Sequence, residues 1–409
     1  MRSVRLIPGA LGVATVLALT VTACGPGGTQ AQDKPADGAS SSAPAEAGDG
    51  GNGTDGNGTG GTGADGTGAD AGGLAGELAD KLKKHGVDVD AWKRGGWKDW
   101  DTATWLREAE DFVNPVIEDL WDPARMQSAK SPDPTITAQA GASGSDPVPR
   151  PVTAQREKTP YHRNAAPVGK IFFDSPQGSM VCSGTIVKDP RRPGRSNLVW
   201  TAGHCVHAGK RGGWYRNITF VPAFNDLGKS PAALRGAQSH EVYPYGQYWA
   251  DWAVTSGEWI QRGGTDQAWP YDYAVLHVQP QRGGKSLEET VGAALPVDFS
   301  APAPARAGTV GAWGYPQAAP YNGVIMHKCL TGASRLTVAP ATPVMYRIGC
   351  TMTAGSSGGG WFRALPGGKT ALVSNTSIGP ARGNGWLAGP QLGRGAKAAY
   401  DMVSKKFAR

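Results

Sequence analysis

From about residue 161 onward the chain breaks into short apolar or alternating runs. These are GKIFF, SMVCSGTIV, NLVWTAG, YDYAVLHV, GTVGAWGY, VMYRIGC and TALVSN, separated by Gly, Pro and Asn turns. Runs of this length read as strands, and no helical period comes between them. Parallel sheets need crossover connections, usually helices, so many short strands without helices point to barrels or sandwiches. Only the final stretch, GRGAKAAYDMVSKKFAR, changes period. Ala399, Met402, Val403 and Phe407 fall on one side there, which predicts a terminal helix packed on the β structure.

The chain ahead of this all-β part differs in texture. Residues 24–72 are mostly Gly, Ala, Thr, Asp and Asn, with repeats such as GTGGTGADGTGAD. A segment of this composition cannot bury enough apolar surface to offset its ordering entropy, so it reads as a disordered tether. About 48 residues of such coil give a root-mean-square reach of roughly 40 Å. Residues 73–125 carry helical patterns, with Leu74, Leu78 and Leu82 in one and Trp105, Leu106, Ala109, Phe112, Val113, Val116, Ile117 and Leu120 in another. Pro115 is expected to kink the second. Five of the 14 tryptophans lie between 92 and 121, and an isolated helical pair would leave those rings wet. This appendage is therefore expected to dock, as a structural piece or as a pro-segment or lid. Residues 126–160, rich in Pro, Ser, Thr and Ala, read as a linker open to nicking.

At the N-terminus, Arg2 and Arg5 precede the apolar run LIPGALGVATVLALTV. The run is too short and too interrupted for a stable membrane span, and residues 1–23 read as an export signal. VTAC then places Cys24 behind small residues, which resembles the lipobox of bacterial lipoproteins, where the cysteine is lipidated and becomes the first mature residue. The protein is thus expected outside the cytoplasm, lipid-anchored to the cell membrane through Cys24 or secreted. Four cysteines remain: Cys182, Cys205, Cys329 and Cys350. In an oxidising compartment they permit two disulfides in three connectivities, and the spacing suggests Cys182–Cys205 and Cys329–Cys350. The net charge of +7 is spread along the chain without a Lys/Arg run, so no nucleic-acid partner is expected.

Two stretches carry chemistry. TAGHC (201–205) sets His204 beside Cys205, and AGSSGGGW (354–361) surrounds Ser357 with glycines. Glycines let backbone amides converge beside a hydroxyl, as a nucleophile facing a developing oxyanion requires. Residues 355–359 also fit the G-x-S-x-G elbow of α/β-hydrolases, but those enzymes need a histidine after the serine and none follows Ser357. A His…Asp…Ser order fits instead. Asp251 and Asp272 compete for the middle place. After Asp272 the apolar run continues through Leu276 and Val278, as a buried strand does, whereas after Asp251 it breaks at TSGEW. Asp272 is assigned, because a triad aspartate must be buried and rigid. No H-E-x-x-H and no Cys-x-x-Cys occurs, so neither a metal nor another cofactor is expected. His85 and His162 read as solvated, His207, His240 and His327 as loop or rim residues, and His277 as a strand residue.

Taken in order, CSGTIV (182–187), VWTAGHC (199–205), YDYAVL (271–276) and AGSSGGG (354–360) resemble the chymotrypsin-like serine peptidases, in particular the secreted bacterial V8-like and trypsin-like members. The resemblance covers residues 161–409. It implies two six-stranded antiparallel β-barrels with the cleft between them. It further implies His204 as general base, Asp272 as its orienting partner and Ser357 as nucleophile. The amides of Gly355 and Ser357 would form the oxyanion hole, and Cys182–Cys205 would staple the histidine loop. The substrates implied are proteins or peptides, hydrolysed through an acyl-enzyme, and a monomer is expected. Two departures stand out. Ser356 holds the place of the aspartate that pairs with a new N-terminus in many animal members, so activity is expected without that clamp. Thr351 stands where trypsin carries its acidic pocket residue, and the histidine of the glutamate-specific members is absent after Ser357, which leaves a neutral pocket with a small or apolar preference. The rival reading is a binding lipoprotein on a catalytically inactive protease scaffold.

Overall fold

The computed structural model describes residues 112, 114–132, 135–136, 144–381 and 383–408, all within the compact unit Gly66–Arg409. The export signal, Cys24, the tether and the helical patterns before residue 112 lie outside the described residues. Among the described residues no helix is long and apolar enough to cross a membrane.

Two short strands come first, β1 (Thr135–Ile136) and β2 (Gln155–Arg156). Six strands then close a barrel: β3 (Val168–Ser175), β4 (Gly178–Val187), β5 (Leu198–Thr201), β6 (Arg216–Pro222), β7 (Tyr248–Thr255) and β8 (Ala274–Pro280), in the order β3-β4-β5-β8-β7-β6. Side chains alternate across each strand, and both faces are covered. Ile171, Phe173, Val199 and Leu276 meet in one apolar cluster, whereas Phe172, Leu198, Trp200 and Val275 join the other. Burial on both faces is why these segments read as nearly continuous apolar runs.

The second half contains β9 (Thr309–Gly314), β10 (His327–Gly332), β11 (Ser334–Leu336), β12 (Met345–Cys350), β13 (Gly360–Ala364), β14 (Thr370–Asn375), β15 (Gly379–Pro380) and β16 (Gly385–Pro390). Two sheets, β14-β13-β9-β10-β2 and β11-β12-β16, enclose Val310, Ala312, Tyr346, Ile348, Trp361 and Leu387. The chain is therefore all-β with a chymotrypsin-like architecture, although its second half is two packed sheets rather than one closed six-stranded ladder. Both expected disulfides form. Cys182–Cys205 has Cα atoms 6.1 Å apart, and Cys329–Cys350 ties β10 to β12 across the second core at 5.7 Å. Disulfides belong to oxidising compartments, in keeping with a protein outside the cytoplasm.

The terminal helix Arg394–Lys406 packs on β7 and β8. It buries Ala396, Ala399, Tyr400 and Val403, whereas Met402, expected inward, is 59% exposed. The apolar stripe runs i, i+3, i+4, i+7 from Ala396, and Met402 lies off it.

Upstream, residues 114–117 form no regular element, and the nearest helix among the described residues is Pro123–Ser128, so at 114–117 the expected helical pattern is not formed. Tertiary contacts override the local pattern. β6 and β7 pair only at Thr219↔Trp249 and Phe220↔Tyr248. At the next pair the carboxamide of Asn114 inserts between the strands, with Nδ2 donating to Ile218 O (3.0 Å) and Ala250 O (2.7 Å) and Oδ1 accepting from Ile218 N (2.7 Å). Trp121 is fully buried and donates to Asn217 O at 2.8 Å, and Arg125 grips Asp174 at 2.8 Å. The described part of the appendage thus docks on the first barrel. Residues 144–160 run along the second half, where β2 adds to β10.

Candidate active site

Strands β5 and β8 pair up to Thr201↔Ala274. Continuing β5 by three residues reaches His204, in the turn Gly203–Cys205, and stepping back two from Ala274 reaches Asp272. The ladder therefore brings together two residues 68 apart in sequence. His204 Nδ1 lies 2.7 Å from Asp272 Oδ2, and the His204 amide donates to Asp272 Oδ1 at 2.8 Å. Two contacts fix both the ring and its backbone. Asp272 is fully buried, and His204 Nε2 is buried without a hydrogen-bond partner among the described residues.

The second half supplies further support for the aspartate. Ser377 Oγ donates to Asp272 Oδ2 at 2.6 Å, and Asn375 Nδ2 donates to Asp272 O at 3.0 Å. Sequence reading missed Ser377 and Asn375. Each lies more than 100 residues from Asp272, and no local spacing marks either.

Ser357, also buried, sits in the loop between β12 and β13. Ser183, next to Cys182 on β4, fastens this loop: its amide donates to Ser357 O (2.7 Å), and its hydroxyl donates to Gly355 O (2.9 Å). Thr376 and Gly359 clamp the far side, with Gly358 N donating to Thr376 O at 2.8 Å and Thr376 N to Gly359 O at 2.9 Å. Glycine is needed at two points of the turn. Gly355 has φ +97° and an added Cβ would come within 2.7 Å of Tyr315 O, while Gly358 has φ +76° and its Cβ would come within 2.1 Å of Thr201 Oγ1. The latter contact shows how closely the loop presses on the strand that leads to His204. The amides of Ser356, Gly358 and Gly359 are all bonded within the chain, but those of Gly355 and Ser357 have no hydrogen bond among the described residues.

Beside Ser357 lies a pocket of about 390 Å³, lined by Ala318, Pro320, Met352, Ser377, Ile378 and Leu387 among others. Among the described residues that line it, none is charged. Thr351 is not on the wall; its hydroxyl bonds Tyr321 Oη (2.8 Å) and accepts from the Ala154 amide (2.9 Å).

The other candidates fall elsewhere. Asp251 stands at a register break in β7, where Ala250 and Trp252 face Val278 and His277. The break aims its carboxylate at His277 Nδ1, 2.6 Å away, so Asp251 serves a different histidine. His207 is buried beside the site, where it accepts from the Gly209 amide at 3.0 Å, and burial pushes its pKa down to about 4. His327 is likewise buried, on β10. His162 is partly exposed and paired with Asp226 at 2.8 Å. Cys182, His204 and Cys205 cluster closely enough to suggest a metal, but the two sulfurs are bonded to each other and hold no free thiolate.

A closed barrel facing a second β unit, with a buried His–Asp pair and a glycine-bound serine loop between them, is the architecture of a chymotrypsin-like hydrolase. No protein-family model and no curated protein matches the chain. Solved structures do. The thermostable serine protease AL20 from an extremophilic microorganism is 34% identical over 59% of this chain and 98% of its own, with a TM-score of 0.48. Protease Anisep from Arthrobacter nicotinovorans is 28% identical over 61% and 99%, with a TM-score of 0.49. A Glu endopeptidase is 15% identical over 62% and 96%, with a TM-score of 0.45. On the strength of 34% identity across nearly the whole of the first, the chain belongs to the chymotrypsin-like serine proteases.

Proposed function

We propose that the protein is a serine endopeptidase that cleaves peptide bonds through Ser357, His204 and Asp272 by way of an acyl-enzyme. The observation that carries this reading is the pattern of spent and unspent groups. Asp272 occupies Nδ1 of His204 and leaves Nε2 without a partner among the described residues, while the Ser357 loop, pressed on the strand that leads to His204, keeps the Gly355 and Ser357 amides free of hydrogen bonds among the described residues. In this reading Nε2 takes the Ser357 proton as Oγ attacks the carbonyl, and the two amides meet the oxyanion. The proton then passes to the leaving amine, and water releases the acyl group. Asp272 holds the tautomer and stabilises the imidazolium. A pocket whose described lining residues carry no charge favours a small or apolar side chain before the scissile bond.

The lipobox-like VTAC further suggests that the enzyme is held at the outer face of the cell membrane through Cys24, with residues 25–72 as its tether. One experiment addresses both proposals: intact-mass analysis of membrane-extracted protein after treatment with a fluorophosphonate. The expected spectrum shows a probe adduct that is absent from Ser357→Ala, on a chain starting at an acylated Cys24. Absence of a Ser357 adduct both from the wild-type chain and from a chain whose segment ahead of the first barrel has been loosened overturns the peptidase reading, and an unacylated Cys24 overturns the anchor.

A further inference from the structure

The stretch just after the docked helix runs over both rims of the cleft. At one rim, Lys130 N donates to Ser179 O at 2.9 Å and Lys130 O accepts from Val181 N at 2.8 Å, extending β4 with a parallel bridge. Val181 precedes Cys182, the disulfide partner of Cys205 beside His204. At the other rim, β1 lies parallel on β15, with Thr135 opposite Gly379 and Ile136 opposite Pro380. Gly379 and Pro380 also line the pocket beside Ser357. Just before the first rim contact, Ala129 O accepts from Gln317 Nε2 at 2.7 Å, and the Gln317 amide donates to Ala354 O, next to Gly355. Lys130 and Thr135 are five peptide links apart, a span of at most about 18 Å. Covalent continuity therefore ties the two rim contacts together over a short distance.

We propose that the segment held at Ala129–Lys130 and again at Thr135–Ile136 is a built-in inhibitor, anchored at both rims of the cleft in the direction opposite to a substrate. The inference rests on the peptidase reading of the site. The residue attacked puts its side chain into the pocket, whose wall includes β15. The acyl half of a substrate therefore lies along β15, and the leaving half lies toward β4. This chain runs from β4 to β15, so its C-terminal end sits where a substrate's N-terminal half belongs. Its parallel sense at both rims follows from that reversal. It covers the edges a substrate backbone needs for strand addition without offering a peptide in the productive sense. The contacts of Asn114, Trp121 and Arg125 with the first barrel hold it there at high effective concentration.

The test compares the full chain with the double variant Lys130→Pro/Thr135→Pro. Proline removes the amide that donates to Ser179 O, and Ala129 already has the extended backbone (ψ 139°) that a following proline requires. A second variant, Thr135→Gly/Ile136→Gly, keeps every donor and only loosens the strand. Hydrolysis of a fluorogenic peptide with an apolar residue at the cleavage site is expected to rise by about tenfold or more in either variant, the factor that one or two weakened backbone hydrogen bonds carry. A synthetic peptide of residues 127–138, added to the opened enzyme, is expected to inhibit it and to emerge uncut. Parent-level hydrolysis by both folded variants, with fluorophosphonate still reacting at Ser357, overturns the inhibitor while leaving the peptidase intact. Cleavage of the added peptide overturns the reversed orientation. Absence of Ser357 labelling from parent and opened chains alike removes the peptidase reading, and this inference falls with it.

Discussion

At the scale of single residues, the site turns on which carboxylate reaches which ring. Asp251 and Asp272 sit in nearly the same local sequence, each followed by an aromatic, an alanine and a valine. One pairs with His277 and the other with His204. Asp272→Asn is expected to lower kcat by about four orders of magnitude with the fold intact, because an amide at that position favours the wrong tautomer of the base. Asp251→Asn is expected to leave kcat within about threefold and to act on stability instead, as a change at a structural hydrogen bond does. Peptide hydrolysis by the two purified variants, with thermal melts alongside, checks both. Equal activity in the two variants removes Asp272 from the mechanism. Asp272 was legible in the sequence because burial leaves a trace, the apolar run that follows it. Ser377 left none, since its only distinguishing feature is a 2.6 Å contact with a residue on a distant strand.

Individual strands carry charge into places their apolar pattern hides. Lys170 sits within the apolar run of β3, yet its ammonium is buried, donates to Gly323 O at 2.7 Å and lies 5.1 and 5.0 Å from the Phe172 and Phe224 rings. Burial pushes its pKa from the ordinary value of 10.5 down to about 7. The folded-state value is therefore below the unfolded one. Between roughly pH 7 and 10 the unfolded chain binds the extra proton, so stability rises with pH across that window, by at most about 1.4 kcal/mol per unit from this group. Melting temperature measured from pH 7 to about pH 9 is expected to climb for the wild type and to stay flatter in Lys170→Met, which keeps the stem packing. Equal slopes would show that Lys170 does not titrate in the folded barrel. The strands themselves were legible from their short apolar runs and turn residues. The terminal helix was legible too, with one member of its stripe wrong: Ala399, Val403 and Phe407 are buried as expected, but Met402 is exposed and Tyr400 turns inward, where its hydroxyl donates to the Lys188 carbonyl.

For the molecule as a whole, the described residues ahead of the first barrel are part of the folded body. Asn114 completes the ladder where β6 and β7 part, joining strands 104 and 136 residues away. Asn114→Ala leaves the Ile218 amide and the Ala250 carbonyl buried without that partner and is expected to cost about 2–4 kcal/mol, read as a shift in denaturant midpoint with unchanged slope. A shift below 0.5 kcal/mol, the size of an ordinary surface change, would mean that water replaces the carboxamide freely. By the same reasoning, a chain trimmed to 161–409 lacks these contacts as well as β2.

The order of short strands, the two disulfides, the pairing of Asp272 with His204 and the glycines around Ser357 could all be taken from the amino-acid sequence. Each leaves a local mark: short apolar runs between turn residues, four cysteines beyond Cys24, or glycines where the backbone takes a conformation that other residues avoid. Tertiary structure alone decided the rest. The insertion of Asn114 between β6 and β7, the contacts of Lys130 with β4 and of β1 with β15, and the support of Asp272 by Ser377 all depend on groups far apart in the chain. Hydrogen bonds at such separations impose no spacing on the sequence, so only the folded barrels reveal which donor meets which acceptor.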